Sequence, residues 1–169
     1  RFVRVRSPEV LARVLAMPGA HKLTGFVIPK ATRHNFEVYY RLVRDTDHAL
    51  MPTLETADVF SEREMEAFRD LLQSPGVRSR ILALRIGGND LLALLGLRRP
   101  RGMTIYRTPL GPVIARLVTI FRPHGFMLTL SPAPALEVLQ ASANLGHWTG
   151  VAADAAIGRP LAQVVGEAT

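Results

Sequence analysis

Four side chains able to do chemistry fall at one kind of place in this sequence. Arg4, Lys30, Glu55 and Asp90 each stand at or just beyond the end of a short apolar run. Glu55 and Asp90 are hard oxygen donors. Two such carboxylates, with waters completing an octahedron, suit a single Mg²⁺ ion. A nearby arginine can clamp a substrate carboxylate through its planar fork. Each residue also has a plainer reading. Asp90 could cap the helix begun by "LLALLGL" (91–97), Glu55 could sit in a first helical turn, and Arg4 could make a structural ion pair. Gly87-Gly88 is a weak phosphate-loop signal, because glycine pairs also mark ordinary turns. His21, His34 and His48 lack ligand spacing and read as surface residues.

The elements that would position these residues alternate in type. "RFVRVR" (1–6) has strand alternation, and Ser7 with Pro8 is a helix start whose stripe is Val10, Leu11, Val14 and Leu15. "LTGFVIPK" (23–30), "ALMPTLET" (49–56) and "RILALRIGG" (80–88) read as strands. Between and after them lie helical stretches: "NFEVYYRLVRD" (35–45) with Asn35 as cap, the segment opened by Ser61 and Glu64, and "TPLGPVIARLVTIF" (108–121). The Ser61/Glu64 spacing is that of a capping box. Continuous apolar strands separated by helices predict an α/β fold built on a parallel sheet. Four or five such units fit part of a TIM barrel or a doubly wound sheet, since a complete barrel needs about 250 residues. In both architectures chemistry sits at the C-terminal strand ends, where the four residues lie. Arg4 stands two strands from Glu55, so an uncurled sheet would leave them too far apart.

Composition narrows the function classes. Residues 1–122 carry 20 of the 21 Lys/Arg and 11 of the 14 Asp/Glu, a net of +9, whereas 123–169 carry a net of −2. That step marks a module boundary. The arginines are dispersed and not interleaved with aromatics, so nucleic acid is not an expected partner. The densest basic run, "RRPRG" (98–102), could instead meet a phosphate-bearing ligand such as a CoA thioester. No apolar run approaches the roughly 20 residues of a membrane helix. The chain has no cysteine, which excludes disulfides and thiolate metal sites and is compatible with a cytoplasmic protein. The start has no initiator Met and reads like the interior of a longer chain.

"FVRVRSPEVL", "LTGFVIPK", "LMPTLETADVF" and "LALRIGGNDLLALLG" together resemble consecutive strand-end motifs of the citrate lyase β-subunit-like C–C bond lyases, the HpcH/HpaI aldolase group. The resemblance covers residues 1 to about 126. It implies a TIM barrel, here a partial one without its first two strands and its last. It also implies Mg²⁺ and cleavage or formation of a C–C bond next to a carboxylate or CoA thioester. By motif position Arg4 matches the catalytic, substrate-binding arginine, Glu55 and Asp90 match the metal ligands, and Lys30 is a further substrate-binding candidate. A second resemblance covers about 123–169. "PHGFMLTL", "LQASANL" and "GRPL" resemble the start of the PAS domain of bacterial phytochromes. That implies an incomplete PAS-like α+β segment, with a non-enzymatic sensor or interaction module as the alternative function. No bilin is expected, because the chromophore cysteine and its domain are missing. The two resemblances overlap at "RPHGF", and the expected division is 1–125 and 126–169. Two incomplete modules would expose apolar edges, from which self-association into a homo-oligomer is expected.

Overall fold

The computed structural model describes residues 1–99 and 102–130. Five strands, β1 (Phe2–Arg4), β2 (Gly25–Ile28), β3 (Ala49–Leu54), β4 (Leu84–Ile86) and β5 (Leu128–Leu130), are ordered β1-β2-β3-β4-β5 in one sheet. The helices between them are α1 (Pro8–Leu15), α2 (Phe36–Val43), α3 (Glu62–Gln73), α4 (Gly88–Leu94) and α5 (Leu110–Phe121). This is an α/β fold with a parallel sheet and alternating helices, as the sequence predicts. The strand order never reverses. A doubly wound sheet requires a reversal, at its switch point, so the order selects the partial TIM barrel. The chain divides into two compact units, Arg1–Leu84 and Arg85–Thr169.

In the first unit, β1 pairs parallel to β2 and β2 parallel to β3, with Arg4 opposite Val27 and Val27 opposite Met51. A parallel bridge from Leu50 to Ile81 extends the ladder. Gly25 explains how β2 fits between its neighbours. A Cβ there would run into the Ala49 carbonyl and lie 2.8 Å from the Phe2 ring, so only glycine allows that approach. Helix α1 begins where Ser7 Oγ accepts from the Val10 N–H at 3.4 Å, with Pro8 in the first turn. Leu11, Phe26, Ile28, Phe36, Val43, Leu50, Leu54, Phe68 and Leu72 are almost wholly buried, each contributing roughly 1.5–3 kcal/mol if fully buried. Phe36 and Phe68 meet edge to face at 5.8 Å.

Two local expectations change. Ser61 caps α3 by accepting from Glu64 N–H at 3.3 Å, but Glu64 does not complete the box. Its carboxylate instead takes the Arg33 guanidinium through two bonds, 2.6 and 3.2 Å, because an arginine fork offers a stronger partner than one amide. His48 is not a surface residue. It is 7 % exposed, its ring nitrogens lie 2.9 Å from Thr46 Oγ1 and 3.0 Å from the Ala20 carbonyl, and it packs on Phe26.

In the second unit, α4 starts at Gly88, whose added Cβ would run into Ile105. Gly88 therefore serves close packing here. Phe121 and Phe126 pack edge to face at 5.9 Å around the turn at Gly125, whose φ is 77°. The expected boundary after residue 125 falls just before β5. Residues 131–169, where most of the PAS resemblance lies, are outside the described residues.

Candidate functional site

The first unit brings three of the four singled-out residues together. Arg4 ends β1, Lys30 lies two residues past β2, and Glu55 follows β3 directly. Glu55 Oε1 accepts from Arg4 Nη2 at 3.0 Å and from the Lys30 backbone N–H at 2.9 Å. The ion pair spans β2, a separation of roughly 9.6 Å between strands. It is bridged because two long side chains lean toward each other across the strand ends. The contact that an uncurled sheet would have prevented is made.

The pair is asymmetric. The Glu55 side chain is 2 % exposed and that of Arg4 is 55 % exposed. A buried carboxylate is tolerable because two donors converge on it. The exposed guanidinium keeps donors turned toward solvent, which is what a residue that must also meet an incoming anion needs.

Lys30 enters the cluster by its backbone. Its φ is 47°, the only positive value at a non-glycine position among the described residues. That left-handed conformation costs a β-carbon residue roughly 1–2 kcal/mol. Asn35 holds it there. The backbone of Asn35 occupies the cap position of α2 that the sequence predicts, but its side chain makes no capping bond. Its Nδ2 donates to the Lys30 carbonyl and its Oδ1 accepts from Thr32 N–H, each at 2.9 Å. The loop 30–35 is thus clamped so that the Lys30 N–H is aimed at Glu55, and the Lys30 ammonium is exposed. Sequence reasoning missed Asn35 as a site residue. The signal was the "PKATRHN" loop itself, where an Asn five residues past a strand-end Pro-Lys can bond back to the turn.

Asp90 lies in the other unit, in the first turn of α4. It is exposed and sits where the helix dipole favours a carboxylate. It does not occupy the cap position, which is Gly87.

A bound cation can be tested against this donor set. Among the described residues no three His, Asp or Glu groups cluster as a metal cage. The available ligands are carboxylate oxygens. One or two carboxylates with waters or substrate is how Mg²⁺ is commonly held, whereas soft metals prefer thiolate or imidazole. Glu55 uses Oε1 for its two donors, leaving its second oxygen for a ligand. That oxygen is a hard donor of the kind Mg²⁺ accepts. No helix among the described residues is long and apolar enough to cross a membrane.

Comparison with known proteins agrees with this fold. A search of curated proteins finds no match. Among solved structures the chain is similar to an HpcH/HpaI aldolase/citrate lyase family protein from Burkholderia cenocepacia J2315, with TM-score 0.54 and 18 % identity over 76 % of this chain. It is also similar to the malate synthase of Haloferax volcanii, solved as a pyruvate/acetyl-CoA ternary complex, with TM-score 0.53 and 16 % identity over 75 % of this chain. The chain spans 57 % of the first protein's length and 36 % of the second's. At these identities the likeness is one of fold. A family model described as a C–C bond lyase of the TIM-barrel fold matches residues 1–161. The match runs through most of the stretch that resembles a phytochrome PAS segment, and no comparison supports that second resemblance. The chain belongs to the C–C bond lyase family of the TIM-barrel fold.

Proposed function

We propose that this chain carries the site of a Mg²⁺-dependent C–C bond lyase acting on a small carboxylate or CoA-thioester substrate. The observation that supports it most is the buried Glu55 carboxylate, held by Arg4 and the Lys30 N–H at the C-terminal strand ends. Glu55 is the metal-binding carboxylate of the first unit in this reading, and Asp90 is a further candidate ligand by its motif position. A bound Mg²⁺ supplies Lewis-acid polarisation of a substrate carbonyl.

The protein's own groups do the rest. Arg4 binds the substrate carboxylate with the donors it does not give to Glu55, and its cation favours the negative charge that builds on the substrate oxygen. Glu55 fixes the guanidinium's orientation. Lys30 contributes its backbone N–H to Glu55, and its exposed ammonium is a second cation for an anionic substrate. The acetyl-CoA and pyruvate bound by the Haloferax volcanii malate synthase are of the substrate class proposed.

Calorimetric titration with MgCl₂ tests the assignment, with Asp90→Asn as the comparison. Saturable binding that weakens in the variant is expected. Binding that is undetectable at millimolar Mg²⁺, or the same in both proteins, overturns it and leaves Asp90 as a first-turn helix residue.

A further inference from the structure

Two residues before Glu55 lies a group that the site has not used. Thr53 is 3 % exposed, and its Oγ1 is buried with no hydrogen-bond partner among the described residues. Its backbone is engaged, since its carbonyl accepts from Ala31 N–H at 3.0 Å. Side chains alternate along a strand, so Met51 and Thr53 share one face of β3 and Leu50, Pro52 and Leu54 the other, and Glu55, the first residue past the strand, follows in the phase of Met51 and Thr53. The unpartnered hydroxyl therefore lies one pleat below the Glu55 carboxylate on its own face.

Such a hydroxyl is unfavourable. A buried polar group left without a partner is destabilising, and a valine of nearly the same shape would avoid that and suit a strand equally well. Native proteins partner such groups with protein or with ordered water. Distance decides which partner fits. Same-face neighbours stand roughly 6.6 Å apart along a strand, and one water with two hydrogen bonds spans roughly 5.6 Å. A direct bond between Thr53 and Glu55 is too long for an extended carboxylate, whereas one water matches the gap.

We propose that Thr53 Oγ1 holds an ordered water that bridges to the Glu55 carboxylate, making Thr53 a positioning residue of the Arg4–Glu55 site. The water supplies Glu55 with a third hydrogen bond, from below. With Arg4 and Lys30 it fixes the plane of the carboxylate and hence the direction of the oxygen left for a ligand. The positioning part rests on the Mg²⁺ reading above, and the water does not.

Thermal unfolding of the ligand-free protein is the first arm. Thr53→Val replaces the hydroxyl by a methyl. Loss of a water bridge lowers Tm by about 2–4 °C for a chain of this size, whereas removal of an unpartnered hydroxyl raises it. The Thr53→Ser and Thr53→Ala variants repeat the hydroxyl deletion without an added methyl, and Ala is expected to melt below Ser. A Thr53→Val protein that melts at or above the wild-type temperature, with Ala no lower than Ser, overturns the water. The second arm is titration with MgCl₂ alone, where Thr53→Val is expected to bind about 3–10-fold more weakly. A lowered Tm with unchanged Mg²⁺ affinity overturns the positioning role. If the wild-type protein binds no Mg²⁺, the metal assignment fails, and the unfolding arm still decides the water.

Discussion

Replacing Arg4 by alanine removes one of the two donors on the Glu55 carboxylate and leaves it buried with the Lys30 N–H. An exposed ion pair contributes about 0.2–1 kcal/mol, and breaking a fully buried one costs about 3–5 kcal/mol. This pair lies between those limits, because Glu55 is enclosed and Arg4 is half open to water. Water entering the space vacated by the arginine would solvate part of the stranded charge. The expected loss is about 2 kcal/mol, a fall in Tm of roughly 4–8 °C for a protein of this size. The reverse deletion is milder. Glu55→Gln keeps an oxygen that can accept from Lys30, and the exposed Arg4 regains water, so about 1 kcal/mol is expected. In the Glu55→Gln background there is no carboxylate to strand, and removing Arg4 should then cost little. A double-mutant cycle by urea unfolding should return a coupling of about 1–1.5 kcal/mol. If Arg4→Ala is within about 0.5 kcal/mol of wild type, or costs the same in both backgrounds, the ion pair does not hold the site together.

Two further outcomes follow from the same loops. Asn35→Ala removes the clamp on the left-handed Lys30 and should cost about 1–2 kcal/mol; adding Lys30→Gly, which adopts that conformation freely, should recover part of the loss in urea unfolding, and failure to recover any would show that the clamp does not act through Lys30. The Arg33 guanidinium holds the Glu64 carboxyl below its ordinary value of 4.5. The pair's contribution is therefore complete above that value and is lost as pH falls through the lowered one. The Tm difference between wild type and Glu64→Gln should accordingly shrink from about pH 6 to about pH 3, and a difference independent of pH would refute the assignment.

What could be read from the sequence is what depends on neighbours in the chain. Ser7-Pro8 starts α1 and Ser61 starts α3, because a hydroxyl three residues before an amide needs nothing from elsewhere. The alternation of apolar strands with helices announced a parallel sheet for the same local reason, and the motifs placed Arg4, Lys30, Glu55 and Asp90 at strand ends. The fold then decided matters that depend on register and packing. Whether the strand order reverses determines barrel or doubly wound sheet, and no single strand carries that information. His48 has the composition of a surface residue, but Phe26, Thr46 and the Ala20 carbonyl enclose it. Asn35 and Glu64 both stand at positions where helix caps belong, and both turn to partners across a loop or on another element, because those bonds satisfy groups the helix cannot. The contact between Arg4 and Glu55 is the clearest case. The two residues are 51 positions apart and separated by a strand, so only the arrangement of three strand ends, which no local pattern encodes, could bring the guanidinium onto the buried carboxylate.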